Sequence, residues 1–377
     1  MTARTQRMWK GFFLFSAFSA FSAVNLMACE ATAPVAPAPV PVAAAKLPTA
    51  SPEALREFDA AMRQIHLGPG SYDRAVEHLH RAIDLDGSLF EAWHNLGFVV
   101  AAQGQLDEAV SAFKKALAIQ PASKPTVLAL GDALRRSGRA DEAADLYEKR
   151  LENEPDDAKL RIRLAQVLRE GGKSNEALEQ IRSVLRKDGK NVAARNELGL
   201  VYYKLGKYDL AELALRRAAD LEAGNALVWN NLGLVALARG RDQEAFLDFD
   251  KASRLDPKYV QAHLNKAVVY LDCGDYKHAQ GELERVLEID PGDVDAQVAL
   301  GVAARGMGKL EDARRAYERA LDLSPKNAAA LYDLGVLYMD FKKDKAKARE
   351  YLTKFRDVAS TKDPKRNDAQ NRLNELK

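Results

Sequence analysis

A period of 34 residues runs through the chain and constrains its fold more than any other feature. Glycine recurs at Gly70, Gly104, Gly138, Gly172, Gly206, Gly240, Gly274 and Gly308, and alanine at Ala75, Ala109, Ala143, Ala177, Ala211, Ala245, Ala279 and Ala313. Two independent ladders with one period argue against the two or three ordinary domains that 377 residues would otherwise suggest. Each period carries an apolar stripe at helical spacing, such as Trp93, Leu96 and Val100, which predicts a first helix, A. The ladder glycine then permits a left-handed turn that a Cβ would penalise. A second helix, B, opens with acids, as in Asp107-Glu108 and Asp141-Glu142, which suit the positive end of a helix. Small residues such as Gly97 and Ala109 let A and B approach, and a large one (Phe113, Tyr147, Tyr317) fills the space beside them. Pro121, Pro155, Pro257, Pro291 and Pro325 end helix B.

The fullest units carry Trp93, Leu96, Gly97, Ala109, Phe113, Ala116 and Pro121, and again Trp229, Leu232, Gly233, Ala245, Phe249, Ala252 and Pro257. This pattern resembles the tetratricopeptide repeat (TPR) signature, W-x2-L-G-x2-Y…A-x3-F…P. The resemblance covers nine units, starting near residues 56, 90, 124, 158, 192, 226, 260, 294 and 328. It implies an all-α fold: a right-handed TPR solenoid of about nine helix–turn–helix repeats over residues 53–362, closed by a capping helix at 363–377. No single unit can bury its apolar face, so neighbours must bury each other's. The end units depart from the pattern. The first has Arg63 at a small-residue position and Gly87 at a proline position, and Ser51 with Pro52 suits a helix start. The ninth has Lys342 at the corner-glycine position and one extra residue before Ala348.

The start of the chain reads as an address. Arg4, Arg7 and Lys10 precede an apolar, Phe-rich run from Gly11 to Met27, followed by Ala28-Cys29. Leu26-Met27-Ala28-Cys29 resembles the lipobox of bacterial lipoproteins, which implies a signal peptide at 1–28 and a lipidated N-terminus at Cys29. An uncleaved signal anchor is the rival reading, although the run is at the short limit for spanning a bilayer. Glu30 rather than Asp after the cysteine implies, by the same resemblance, an outer-membrane anchor facing the periplasm. Residues 29–52 form an Ala/Pro-rich linker, able to extend roughly 3.1 Å per residue where proline is dense. It serves as a spacer or, alternatively, as a ligand for an aromatic groove.

Composition narrows the function. Of 56 basic and 54 acidic residues, the three basic ones in the first ten positions leave 53 against 54 without them, or −1. So even a balance gives no footprint for nucleic acid. Two cysteines make no disulfide scaffold. Cys273 is expected to be buried beside Gly274, with an intermolecular disulfide as the alternative. His66, His78, His80, His94, His263 and His278 form no ligand constellation and are expected at the solvated surface, so no metal and no cofactor is expected. No Walker loop, G-x-S-x-G or H-E-x-x-H is present, and no small-molecule substrate or enzyme activity is expected.

By the TPR resemblance, helix A positions 2, 5, 9 and 12 line a concave face. In the first units this gives a polar lining of Asp132, Arg135, Lys159, Gln166 and Arg169. Further along it gives an apolar strip: Asn196, Leu200, Tyr203, Leu227, Asn230, Leu234, Leu237, Leu264, Val268, Leu271, Val298, Val302, Tyr332, Val336 and Met339, with Arg305 as its main charge. The strip is read as a groove for a helix or an extended peptide, or as packing between A helices. The chain also resembles TPR lipoproteins of gliding motility and of type IV pilus machinery. That implies a scaffold that binds proteins or peptides of the cell envelope. The alternatives are a pilotin or holdase for an outer-membrane subunit and a regulator of a cell-wall enzyme.

Overall fold

The computed structural model describes residues 51–376; the signal peptide, Cys29 and the linker as far as residue 50 lie outside the described residues. Among the described residues there are 19 α-helices and no strand. They fall into two compact units, one ending at Ala223 and one beginning at Gly224. The first holds α1 (Pro52–Leu67), α2 (Tyr72–Leu85), α3 (Phe90–Ala102), α4 (Leu106–Ile119), α5 (Lys124–Arg136), α6 (Ala140–Asn153), α7 (Ala158–Glu170), α8 (Ser174–Lys187), α9 (Val192–Lys204) and α10 (Tyr208–Leu221). The second holds α11 (Ala226–Ala238), α12 (Asp242–Leu255), α13 (Val260–Asp272), α14 (Tyr276–Ile289), α15 (Val294–Gly306), α16 (Leu310–Leu323), α17 (Ala328–Val336), α18 (Lys345–Val358) and α19 (Lys365–Glu375). Odd-numbered helices are the A helices and even-numbered ones the B helices. Each unit is a stack of helical hairpins, as the solenoid reading requires.

Three devices repeat at the period. The first is the corner. Gly104 takes φ +80° after α3, and the next residue's amide, Gln105, donates back to the Val100 carbonyl at 2.9 Å, closing the helix end. Gly138, Gly172, Gly206, Gly240, Gly274 and Gly308 repeat the left-handed turn. The second is the close approach of A and B. A Cβ placed on Gly97 would stand 2.6 Å from the Phe113 ring, and one on Gly233 would stand 2.5 Å from that of Phe249. The glycine hydrogen is therefore the space the ring occupies. The third device escapes a motif search. Asp157, Asn191, Asn225, Asp293 and Asn327 each accept a hydrogen bond from an amide three residues on, capping the A helices.

The ends correct several expectations. At the first corner Gly70 sits in a short 3-10 turn, Pro69–Ser71, and the left-handed residue is Gly68. Ser51 does precede α1 with Pro52 at N1, but its hydroxyl makes no cap. In the ninth repeat the left-handed residue is Lys343, at φ +58°, and not Lys342. The extra residue is absorbed by a π-helical turn, Leu337–Phe341, which widens the end of α17 by one residue. Helix α19 takes the place of a further A helix. It covers the last hairpin, with Ala369 and Leu373 buried, and presents its polar face outward.

Candidate partner-binding site

The A helices place the predicted lining residues at different depths. In the first unit Asn196 and Leu200 are buried, and Tyr203 is half-buried with its ring 5.7 Å from that of Tyr208. In the second unit Leu234, Leu271, Val298, Tyr332 and Val336 are buried, so much of the strip is wall between neighbouring A helices. Asn230 is fully enclosed. Its carbonyl accepts from Asn265 at 2.8 Å, while its own amide hydrogens find no acceptor among the described residues. What stays partly in water is a shorter stripe: Leu227, exposed at 38%, with Leu237, Leu264, Val268, Val302 and Met339 half-buried.

Arg305 does not project from the strip as a free charge. It donates to the Asp333 carboxylate at 3.0 Å, and both side chains are only 6% exposed. The spacing explains it. Arg305 ends one A helix and Asp333 lies 28 residues on, in the middle of the next. Arg169 and Glu197 form the same bridge in the first unit, at 2.6 Å and also 28 residues apart. Near the entrance to that row, Arg135 reaches Asp132 and Glu170. A search for opposite charges 28 apart finds these clamps; a search for exposed charge misplaces them.

Two more expectations fail. Cys273 is exposed, because it is the C-cap of α13, next to the left-handed Gly274, where the chain turns outward. Two histidines are buried. His94 is enclosed by Phe90, Phe98 and Phe113 and faces the Thr126 hydroxyl at 2.8 Å, and burial pushes its pKa down to about 4. His263 lies between the Glu282 carboxylate at 2.6 Å and the Pro257 carbonyl at 3.1 Å. Glu282 also takes the Lys266 ammonium at 2.9 Å, and Lys266 reaches Asp250 at 3.1 Å. Burial alone would raise the Glu282 carboxyl, but the bonds from His263 and Lys266 outweigh it and bring it to about 2.

The comparisons with known proteins agree with this geometry. A family profile of the C-terminal domain of cilia and flagella-associated protein 70 matches residues 128–330, and two tetratricopeptide-repeat profiles match 88–154 and 298–364. The chain belongs to the tetratricopeptide-repeat family. A TPR fold of comparable extent occurs in the crystal structure of the Cut9–Hcn1 hetero-tetramer of APC/C, with a TM-score of 0.56 and 16% identity over 86% of this chain and 66% of that one. At that identity the likeness concerns the fold alone. MamA from Desulfovibrio magneticus RS-1 is 28% identical over 44% of this TPR chain and 94% of its own, with a TM-score of 0.42. Small glutamine-rich tetratricopeptide repeat-containing protein 2 of Saccharomyces cerevisiae is 42% identical over 55 residues, 15% of this chain and 16% of the yeast protein. The match thus spans about one sixth of that curated relative. TPR arrays act as protein-interaction scaffolds, and that is the coarse role of this chain.

Proposed function

We propose that the chain is a lipid-anchored TPR scaffold of the bacterial envelope, attached through Cys29 to the outer membrane. There it holds protein partners in place to assemble or stabilise an envelope machine such as that of gliding motility. The half-exposed apolar stripe of Leu227, Leu237, Leu264, Val268 and Val302 carries this reading. Solvent reaches these side chains although Leu234, Leu271 and Val298 on the same helices are enclosed, and an apolar stripe left in water suits a partner helix or strand. The lipobox-like Leu26-Met27-Ala28-Cys29 and the following Glu30 support the address.

A photo-crosslinking residue placed at Leu227 or Val268 in the native envelope should capture one defined protein. The same residue at Leu247, exposed on the B helix α12, should not capture it. Identical products from both faces would contradict the stripe as the site. Cys29→Ser should abolish metabolic acyl labelling; retained label would refute the anchor.

A further inference from the structure

We infer that the uncharged, proline-rich run Pro34–Val42 of this same chain docks on an apolar lining formed by the first three repeats. The register of α1 is set by its left-handed corner, Gly68, and not by the ladder residue Gly70. Ala75 follows Gly68 by seven residues, whereas Ala109 follows Gly104 by five, so the first corner holds two extra residues. Counted back from the corner, Ala61 stands where Gly97 and Gly131 stand, seven residues before the turn, and it is buried as they are. The shift brings Leu55, Phe58, Met62 and Ile65 onto the lining positions, and their spacing of three and four puts them on one side of the helix. Leu55 is 42% exposed and the other three are half-buried. On the next A helices Phe98 takes the position of Met62, six residues before the turn, and Leu128 that of Phe58, ten before it. Both are half-buried, and the Phe98 ring is held edge-on by His94 at 4.8 Å and Phe113 at 5.4 Å. Past Leu128 the lining turns ionic, where Arg135 reaches Asp132 and Glu170. The apolar lining is thus three repeats long and bounded by charge.

The occupant follows from the chain that precedes Ser51. Between Glu30 and Lys46 there is no charged residue, and Pro34, Pro37, Pro39 and Pro41 alternate with Ala and Val. Such a sequence favours the left-handed polyproline helix, which docks on aromatic, apolar surfaces and has little entropy to lose on binding. At about 3.1 Å per residue the nine residues Pro34–Val42 span roughly 28 Å. Crossing three A helices spaced about 10 Å apart takes roughly 20 Å. The eight residues Ala43–Ala50 join the run to Ser51, one helical turn before Leu55. A tether that short holds the run at a local concentration on the order of millimolar, so a weak contact is enough to fill the lining. The run is then a built-in competitor for this face, which any separate partner of the first repeats has to displace.

The test lies in the first unit and needs neither the Cys29 anchor nor the Leu227 stripe. A photo-crosslinking residue is placed at Leu128 in the full chain, with isotope-labelled and unlabelled copies mixed. The product should join position 128 to Pro34–Val42 within one copy. The variant Pro34→Ser, Pro37→Ser, Pro39→Ser, Pro41→Ser should lose that link, and its substitutions precede α1, so the repeats stay intact. Dilute peroxide gives a second reading: Met62 should oxidise severalfold faster in the serine variant than in the parent, while Met339, half-buried in the ninth repeat, keeps its rate. A link between copies would assign the lining to a second copy of the chain, and a link only to another protein would assign it to that protein; either overturns the inference. So would the absence of a link, a link retained by the serine variant, or equal Met62 oxidation in the two proteins.

Discussion

Glycine does two separate jobs in this chain, and substitution separates them. Gly233 lies within an A helix at ordinary backbone angles, and its missing Cβ is the room that Phe249 fills. Gly240 has open space around it, but its φ of +70° suits a residue without a Cβ. Gly233→Ala is therefore expected to cost about 1–3 kcal/mol by overpacking, and Gly240→Ala about 1 kcal/mol by conformational strain. Equilibrium urea denaturation checks both. With Phe249 already replaced by Ala, Gly233→Ala should cost little, because the ring it would strike is gone, while the Gly240→Ala cost should be unchanged. The ladders made the glycines visible in the sequence. The Arg305–Asp333 and Arg169–Glu197 clamps were not visible, because each arginine reads as an isolated lining charge until the following repeat is folded against it.

Helices α12, α13 and α14 are joined by the side chains of Asp250, Lys266, His263 and Glu282, and this junction responds to pH in two opposing ways. Glu282 titrates near 2 in the fold against an ordinary 4.5. Its contribution is thus complete above about pH 4.5 and lost as pH falls toward 2. Asp272 at the end of α13 is raised by burial, with help from Asp242, from 3.8 to about 6. The fold therefore prefers Asp272 protonated, and stability falls as pH rises from 3.8 through about 6. The two contributions together should be greatest between pH 3.8 and 4.5, where the ranges overlap. Asp272→Asn should remove the decline on the neutral side and add about 1–2 kcal/mol at neutral pH. Glu282→Gln should remove the acid-side dependence at that site. Denaturation curves across the range check the signs; an Asp272→Asn variant with the parent's neutral-side slope would refute this assignment. Little of this junction was legible. His263 reads as a surface residue because the apolar period describes which face is buried and not which polar groups are paired inside it. The ninth corner was half legible: the extra residue before Ala348 showed in the spacing, but its accommodation by a π-turn depends on backbone geometry.

At the scale of the molecule, stability should reside in contacts between successive hairpins within each unit, with no distant segment required by any of them. Buried apolar residues recur at the period from Ala75 to Ala313, with Ala348 one residue out of step, and α19 closes the last hairpin. Fold class and repeat number were legible because that periodicity is itself the mechanism of burial. The lining was only partly legible because the same positions serve as groove and as wall, and depth is settled by the neighbouring helix: Leu227 remains in water while Leu234, on the same helix, does not.

Deletion of residues 260–293, one whole period, tests the central claim most directly. Tyr259 would then run into Val294 in place of Val260, and Lys266, His263 and Glu282 would leave together. The account predicts a folded protein with unchanged helicity per residue, a cooperative urea transition and an m-value reduced in proportion to the surface removed. A shortened chain that loses helicity in the remaining repeats, or that unfolds without a cooperative transition, would contradict it.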